Sequence, residues 1–310
     1  MIPAVDSRPG PAGGHGYAAR VILLTGATGN LGSALLRRLT AGGARVRCLV
    51  REPRRLGPER VRVQIALGDL SEPASFRNAL RGVDTVVHLA AAIRDQPRAS
   101  IEELNAVATL RLVRAAERTG VERFVFFSAL GATLNDRTRF FRAKALAERT
   151  VMESPLSTIV FAPSIVYSPL DPWIRLLERM SLLPVMPISG SGRALYQPIW
   201  ADDAAAAVMG ALDRADARER YELAGPETLS YDDMARVTLQ ALRRRRRLLH
   251  VPLPVVRASL RALEAVAGQG AFATWQEAEL MEIPMTTPRG AADAEELGVR
   301  PRSMREVLGA

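Results

Sequence analysis

A chain of 310 residues, 48% hydrophobic and 24% charged, can bury a sizeable core, which excludes a disordered or a fibrous protein. One cysteine, Cys48, and three scattered histidines, His15, His88 and His250, exclude an internal disulfide and offer no ligand spacing for a metal, so none is expected. The net charge of +9 suits an anionic partner, but the arginines run along the whole chain without a helix-turn-helix, zinc-finger or RNP signature, so nucleic acid is not expected.

Residues 1–17 are rich in Pro and Gly and lack a basic start and an apolar stretch, which reads as a disordered leader rather than a signal peptide. No run of about 18 uncharged apolar residues occurs, so a membrane span is not expected. The expected location is the cytoplasm, with peripheral contact at the inner face of an acidic membrane left open. From residue 18 to 165, apolar strands at 20–24, 45–50, 62–67, 85–89, 123–127 and 157–161 alternate with helices at 31–41, 74–81, 101–119 and 139–153. Continuous apolar strands separated by helices predict an α/β fold, a doubly wound parallel sheet buried on both faces. After Pro163 repeated prolines change the rhythm, and 166–310 are expected to form a smaller C-terminal lobe whose strands return to the main sheet. There, 202–214 and 254–266 read as helices and 221–224 as a strand. Ser230 and Asp233 form a capping box for a helix running to 242.

Thr25-Gly26-Ala27-Thr28-Gly29-Asn30-Leu31-Gly32 follows the first strand and opens the first helix, the context that gives a glycine triplet meaning. Gly26 suits a tight turn, Gly29 close approach of a pyrophosphate, and Gly32 close packing of helix on strand. Exposed amides and the positive helix end would hold the anion, so a dinucleotide is expected. The second strand ends at Arg51, which favours the 2′-phosphate of NADP, while Glu52 keeps NAD open.

With these residues the chain resembles the Rossmann-type short-chain dehydrogenase/reductase superfamily, in its atypical extended branch, from about Ala18 to the C-terminus. It is similar to the group containing the nucleotide-binding accessory subunit of respiratory complex I, and more distantly to NmrA-like proteins. The resemblance implies cofactor contacts at Gly26, Thr28, Gly29, Asn30, Leu31 and Gly32, at Asp69 and Leu70 after the third strand, and at Ala90 and Ala91 after the fourth. It further implies contacts at Ser128, Lys144, and the segment Ala162, Pro163 and Ser164 beside the nicotinamide, and a structural Asn105.

The departures shape the functional expectation. Of forty-two lysine and arginine side chains only Lys144 is lysine, and it stands in Phe140-Phe141-Arg142-Ala143-Lys144, where active relatives carry Tyr-x-x-x-Lys. Phenylalanine has no proton to exchange, and Leu130 stands where the family's catalytic hydroxyl is expected. Lys144, the one candidate catalytic residue, is read as a ribose ligand, as a general base of lowered pKa, or as a solvated helix lysine. The expected function is a weak reductase of an apolar carbonyl, enone or quinone, or a non-catalytic accessory, assembly or redox-sensing protein with a protein partner. Arg243 to Arg247 read as a solvated helix end or as a contact with acidic lipid or a protein partner. The stripe Val255, Val256, Leu260, Leu263 and Val266 reads as core or anchor, and Trp173, Trp200 and Trp275 as the walls of an interlobe cleft.

Overall fold

The sheet that carries the site begins with β1 (Val21–Thr25), β2 (Arg45–Val50), β3 (Gln64–Leu67), β4 (Thr85–His88), β5 (Arg123–Phe127) and β6 (Ser157–Pro163), all parallel, in the spatial order β3-β2-β1-β4-β5-β6. The structure, a computed structural model, describes residues 20–97, 99–169, 171–267 and 274–310. The expected leader at 1–17 and the side chain of Val266 lie outside the described residues. Strand order reverses between β1 and β4, the place where doubly wound sheets open a crevice at their carboxyl ends.

Three short pairs follow in the C-terminal half: β7 (Val166–Tyr167) with β10 (Ile199–Trp200), β8 (Val185–Ser189) with β13 (Arg247–Val251), and β9 (Leu195–Tyr196) with β12 (Leu229–Ser230). Between them β11 (Arg220–Leu223) joins the main sheet beside β6, again parallel, as its seventh strand.

Helices α1 (Asn30–Ala41), α2 (Pro73–Phe76), α3 (Ala108–Thr119), α4 (Arg139–Met152), α5 (Pro172–Met180) and α6 (Ala201–Leu212) precede α7 (Tyr231–Ala241) and α8 (Leu253–Ala267). The short α9 (Trp275–Leu280), α10 (Ala292–Glu296) and α11 (Met304–Leu308) close the chain. On one face of the sheet α1 packs on the alanine-rich α6, with Leu35, Leu39, Ala204 and Val208 against Ile22, Leu24, Val87 and Val125. On the other face Leu112, Ala116, Ala147 and Val151 of α3 and α4 cover Leu23, Val86, Phe124 and Val160. Each fully buried Leu, Val or Phe contributes roughly 1.5–3 kcal/mol, so the central strands are the rigid part and the loops at their ends are free to be irregular. A third core, with Tyr167, Ile174, Met186, Tyr196, Trp200 and Met234, belongs to the C-terminal half.

Two predicted helices differ from expectation. Residues 74–81 give one turn of α2 and then a 3-10 turn, Arg77–Leu80. The helix expected over 101–119 opens with a π turn at Glu103–Val107, because the Asn105 amide itself donates to the Ile101 carbonyl at 2.8 Å, an acceptor a regular helix gives to the backbone. The capping box at Ser230 forms as read: its hydroxyl accepts from Asp233 N and the Asp233 carboxylate accepts from Ser230 N.

Candidate nucleotide-binding site

The loop after β1 owes its shape to three glycines that do different work. Gly26 sits at φ +73°, and a Cβ there would lie 2.6 Å from the Ala90 amide nitrogen, so the loop presses against the segment after β4. A Cβ on Gly32 would lie 2.0 Å from the Gly26 carbonyl oxygen. Gly29 is another case: its backbone is extended (φ −82°, ψ 174°) and the nearest atom to an added Cβ is 3.4 Å away. Neither packing nor dihedral strain asks for glycine at 29, so the free space there faces the cleft. Gly29 caps α1 without a side-chain bond, and no acidic residue occupies the first turn, so the helix presents bare amides and positive potential.

A cleft of about 270 Å³ opens there at the carboxyl ends of β1, β2, β3 and β4. Of the predicted residues, Gly26, Thr28, Gly29, Arg51, Asp69, Leu70, Ala90 and Ala91 line it. Asn30, Leu31 and Gly32 form the first turn of α1 behind the loop. Ser128, Lys144, Ala162, Pro163 and Ser164 are not part of its lining and gather at the ends of β5 and β6. Arg51 is 54% exposed at the outer mouth, donates to Gln96 Oε1 at 2.9 Å, and stands 3.8 Å from Asp69. Arg55 and Glu52 share that mouth.

A buried polar chain fixes the β4 wall. Asn105 accepts from the Ala92 amide at 3.2 Å and donates to the Ala92 carbonyl at 2.8 Å. Thr109 donates to the Asn105 carbonyl at 2.5 Å, which leaves its oxygen to accept from His88 Nε2 at 3.0 Å. Proton counting then makes His88 Nδ1 the acceptor for the Thr25 hydroxyl at 2.7 Å. Burial, with Lys144 adding to it, pulls the His88 pKa down to about 3, so the imidazole is neutral and serves as a strut.

Lys144 is 3% exposed, which overturns the solvated-lysine reading. Its Nζ donates to the Phe127 carbonyl and lies 4.5 Å from the centre of the Phe126 ring. Burial pulls its pKa down to about 7, against the opposing pull of Glu148. At the end of the same strand the Ser128 hydroxyl is buried with no partner, an arrangement that costs about 1–3 kcal/mol unless a ligand atom completes it. The Ser164 hydroxyl donates to the Met285 carbonyl (2.7 Å) and accepts from Gln197 N (3.0 Å), and the Pro163 carbonyl accepts from Leu130 N. Phe140 packs edge-on against Phe141 beside Ala129, Ile283 and Met285.

Among the described residues no phenol substitutes for the missing tyrosine. Among the described residues Tyr167, Tyr196 and Tyr221 are fully buried and Tyr231 nearly so. The hydroxyls of Tyr167 and Tyr196 donate to the Ser303 and Met281 carbonyls, and those of Tyr221 and Tyr231 accept from Arg218 N and Trp173 Nε1. The expected tryptophan walls are corrected for two of three: Trp200 lies in the C-terminal core under Arg302, and Trp173 packs on Tyr231, because their neighbours in the fold are α7 and α11. Trp275 lies under Arg257 at the start of α9.

Sequence reading missed Arg55, Gln96, Leu104 and Asp171. Arg55 carried a local signal, being one of two arginines, with Arg54, close after Arg51. Asp171 carried none, since its partner is Asn30, 141 residues away. Its carboxylate also accepts from Trp173 N at 2.7 Å, and burial pushes its pKa up to about 6.

Residues 26–169 match the protein family described as NAD(P)H-binding. The chain is 28% identical over 269 residues to NADH dehydrogenase (ubiquinone) 1 alpha subcomplex subunit 9, mitochondrial, of Arabidopsis thaliana, covering 81% of this chain and 65% of that protein. It is 28% identical over 252 residues to the NAD(P)H azoreductase of Xenophilus azovorans, covering 81% and 82% respectively. The solved structure of the Thermus thermophilus UDP-glucose 4-epimerase in complex with NAD superposes with a TM-score of 0.69 at 18% identity, over 93% of this chain and 96% of that one, a likeness of fold. The chain spans just under two thirds of the length of the plant relative.

Proposed function

We propose that this chain is an NAD(P)-binding protein of the atypical extended short-chain dehydrogenase/reductase type that holds NADP(H) and reduces an apolar, conjugated acceptor such as a quinone or enone, a reading supported by the NAD(P)H-binding match over residues 26–169 and by the plant and azoreductase relatives. The observation that carries the reading is the end of β5, where the buried Lys144 and the unpartnered Ser128 hydroxyl stand together while every tyrosine hydroxyl among the described residues is engaged elsewhere.

The glycine cradle and the bare α1 amides fit a pyrophosphate, Arg51 and Arg55 fit a 2′-phosphate, and Asp69, Leu70, Ala90 and Ala91 fit the adenosine side. The nicotinamide, when bound, supplies a hydride. Lys144, titrating near neutrality, holds or releases a proton at Nζ, and the Ser128 hydroxyl donates or accepts a hydrogen bond beside it. The apolar wall of Phe140, Ala129, Ile283 and Met285 keeps water off that end of the sheet. Loss of a positioned acid removes typically about 10²–10⁴ in rate from reduction of an isolated carbonyl, which must become an alkoxide. A conjugated acceptor spreads the arriving charge and depends less on that acid. The azoreductase among the relatives fits an acceptor of this kind.

Two measurements test the reading. NADPH oxidation is expected with quinones or enones and not with simple ketones, and Lys144→Ala should abolish it while nucleotide still binds; turnover that survives Lys144→Ala removes Lys144 from the chemistry. Arg51→Asp is expected to weaken NADPH by about tenfold or more, roughly 1.4 kcal/mol, and NADH much less. Equal weakening refutes the 2′-phosphate assignment.

A second reading, a nucleotide held as a structural element of an accessory protein, is favoured by one observation: the Lys144 ammonium is turned onto the Phe127 carbonyl. Its signature is a chain that copurifies with nucleotide and unfolds at a higher temperature with NADPH, yet turns over none of the acceptors.

A further inference from the structure

Leu182, Leu183, Pro184 and Val185 form four consecutive exposed apolar residues running from the end of α5 into the start of β8, with Leu182 68%, Leu183 49% and Val185 40% exposed. A folded chain rarely shows such a run to water without a use for it. The neighbouring strand adds to the same patch: β13 pairs with β8 so that Arg247 lies beside Val185 and Leu249, 52% exposed, beside Pro187. Residues two apart on a strand share a face, so Val185, Pro187, Arg247 and Leu249 look outward together.

Cations frame the patch. The arginine run is not a uniformly solvated helix end. Arg244 donates to the Glu178 carbonyl and the Ser181 hydroxyl, and Arg246 to the Ser181 carbonyl, so these two tie the run to the end of α5. The alternation turns Arg243, Arg245 and Arg247 outward, and Arg175 and Arg179, one turn apart on α5, are exposed as well. Arg175, Arg179, Leu182 and Arg244 line one shallow depression with Glu178. Arg139, Arg218 and Arg289 elsewhere are each held by carboxylates, whereas these five stand at the surface around an apolar tip. Arg243 also adopts φ +54°, a left-handed conformation that glycine would hold without strain.

We infer that this face docks onto an anionic phospholipid surface, with Leu182, Leu183, Val185 and Leu249 entering the acyl boundary and the five arginines lying among the headgroups. An apolar tip ringed by exposed guanidiniums matches the two components of such an interface, hydrocarbon depth and negative charge. No described helix is long and apolar enough to cross the membrane, so the association is peripheral.

Flotation with vesicles of phosphatidylcholine alone or mixed with phosphatidylglycerol tests the inference. Binding is expected only to the mixed vesicles, weakening as salt is raised and unaffected by inorganic phosphate at the same ionic strength. Leu182→Asp with Leu183→Asp should release the protein. Replacing Arg243, Arg245 and Arg247 by Glu should weaken binding by roughly fivefold or more per arginine. The matched triple variant at the exposed Arg77, Arg81 and Arg118, near α2 and α3, should bind as wild type. Arg243→Gly should unfold at an equal or higher temperature and still bind more weakly, separating strain from docking. A cooperative unfolding transition for each variant certifies its fold independently of any nucleotide. Indifference to phosphatidylglycerol, retention by the double Asp variant, or equal loss in the matched triple would overturn the inference.

Discussion

Gly32→Ala is expected to abolish nucleotide binding and to destabilise the fold by about 3 kcal/mol or more, while Gly29→Ala, three residues away, leaves stability nearly unchanged and loses affinity alone. The contrast follows from what each added methyl meets. At 32 it would enter the Gly26 carbonyl oxygen at 2.0 Å and the Ala27 Cα at 2.8 Å, both backbone atoms of the loop itself. No rotamer relieves such a clash, so α1 must move off β1 and the loop must open, beyond the 1–3 kcal/mol typical of core overpacking. At 29 the methyl finds only the Gly26 carbonyl at 3.4 Å, and the φ of −82° suits alanine. It projects toward the cleft, where a pyrophosphate must approach the backbone, and should weaken nucleotide by roughly ten- to a hundredfold, about 1.4–2.8 kcal/mol. Urea unfolding and NADPH titration of the two variants check this. A Gly29→Ala protein that binds as tightly as wild type would place the anion elsewhere.

Lys144→Met is expected to make the protein more stable and less functional. In the unfolded chain Lys144 titrates near 10.5, and in the fold near about 7 because burial disfavours the ammonium. Between those values the unfolded state binds more protons than the native state, so stability rises with pH from about 7 to 10.5, and below about 7 the burial penalty is carried in full. Each tenfold loss of proton affinity on folding corresponds to about 1.4 kcal/mol, which makes the penalty at pH 7 on the order of a few kcal/mol. Methionine fills a similar volume without the charge, at the expense of the bond to the Phe127 carbonyl, about 1 kcal/mol. The unfolding temperature of the variant should exceed that of wild type by several degrees at pH 7 and below, and the difference should shrink as pH approaches 10. A variant that is less stable throughout, or a difference independent of pH, would show that Lys144 is not a buried ammonium. A residue kept against stability belongs with function, so the same variant should lose turnover.

The parts of this protein that depend on neighbours in the chain were legible before any coordinates. Five of the six predicted strands of the first half start within one residue of where they lie, and all six end within two, because a strand buried on both faces is a continuous apolar run. The sixth, β3, loses its first two residues, 62 and 63, to the preceding loop, where it runs along the sheet edge and is pinned by one partner alone. The phosphate loop and the Ser230–Asp233 box were readable for the same reason, since each is closed by residues within about seven positions of one another. Lys144 could be singled out by type, but its three readings could not be separated, because burial is a property of what packs around a helix.

Tertiary structure alone decided the rest. It joined Asn30 to Asp171 and Arg51 to Gln96, engaged four tyrosine hydroxyls in structural bonds, and left Ser128 without one. It split the arginine run into two that cap α5 and three that face water beside an uncovered Leu182–Val185 turn. Periodicity, caps and glycine turns are written in residues a few positions apart, whereas desolvation, hydrogen-bond partners and exposed patches arise only when segments a hundred residues apart come to lie side by side.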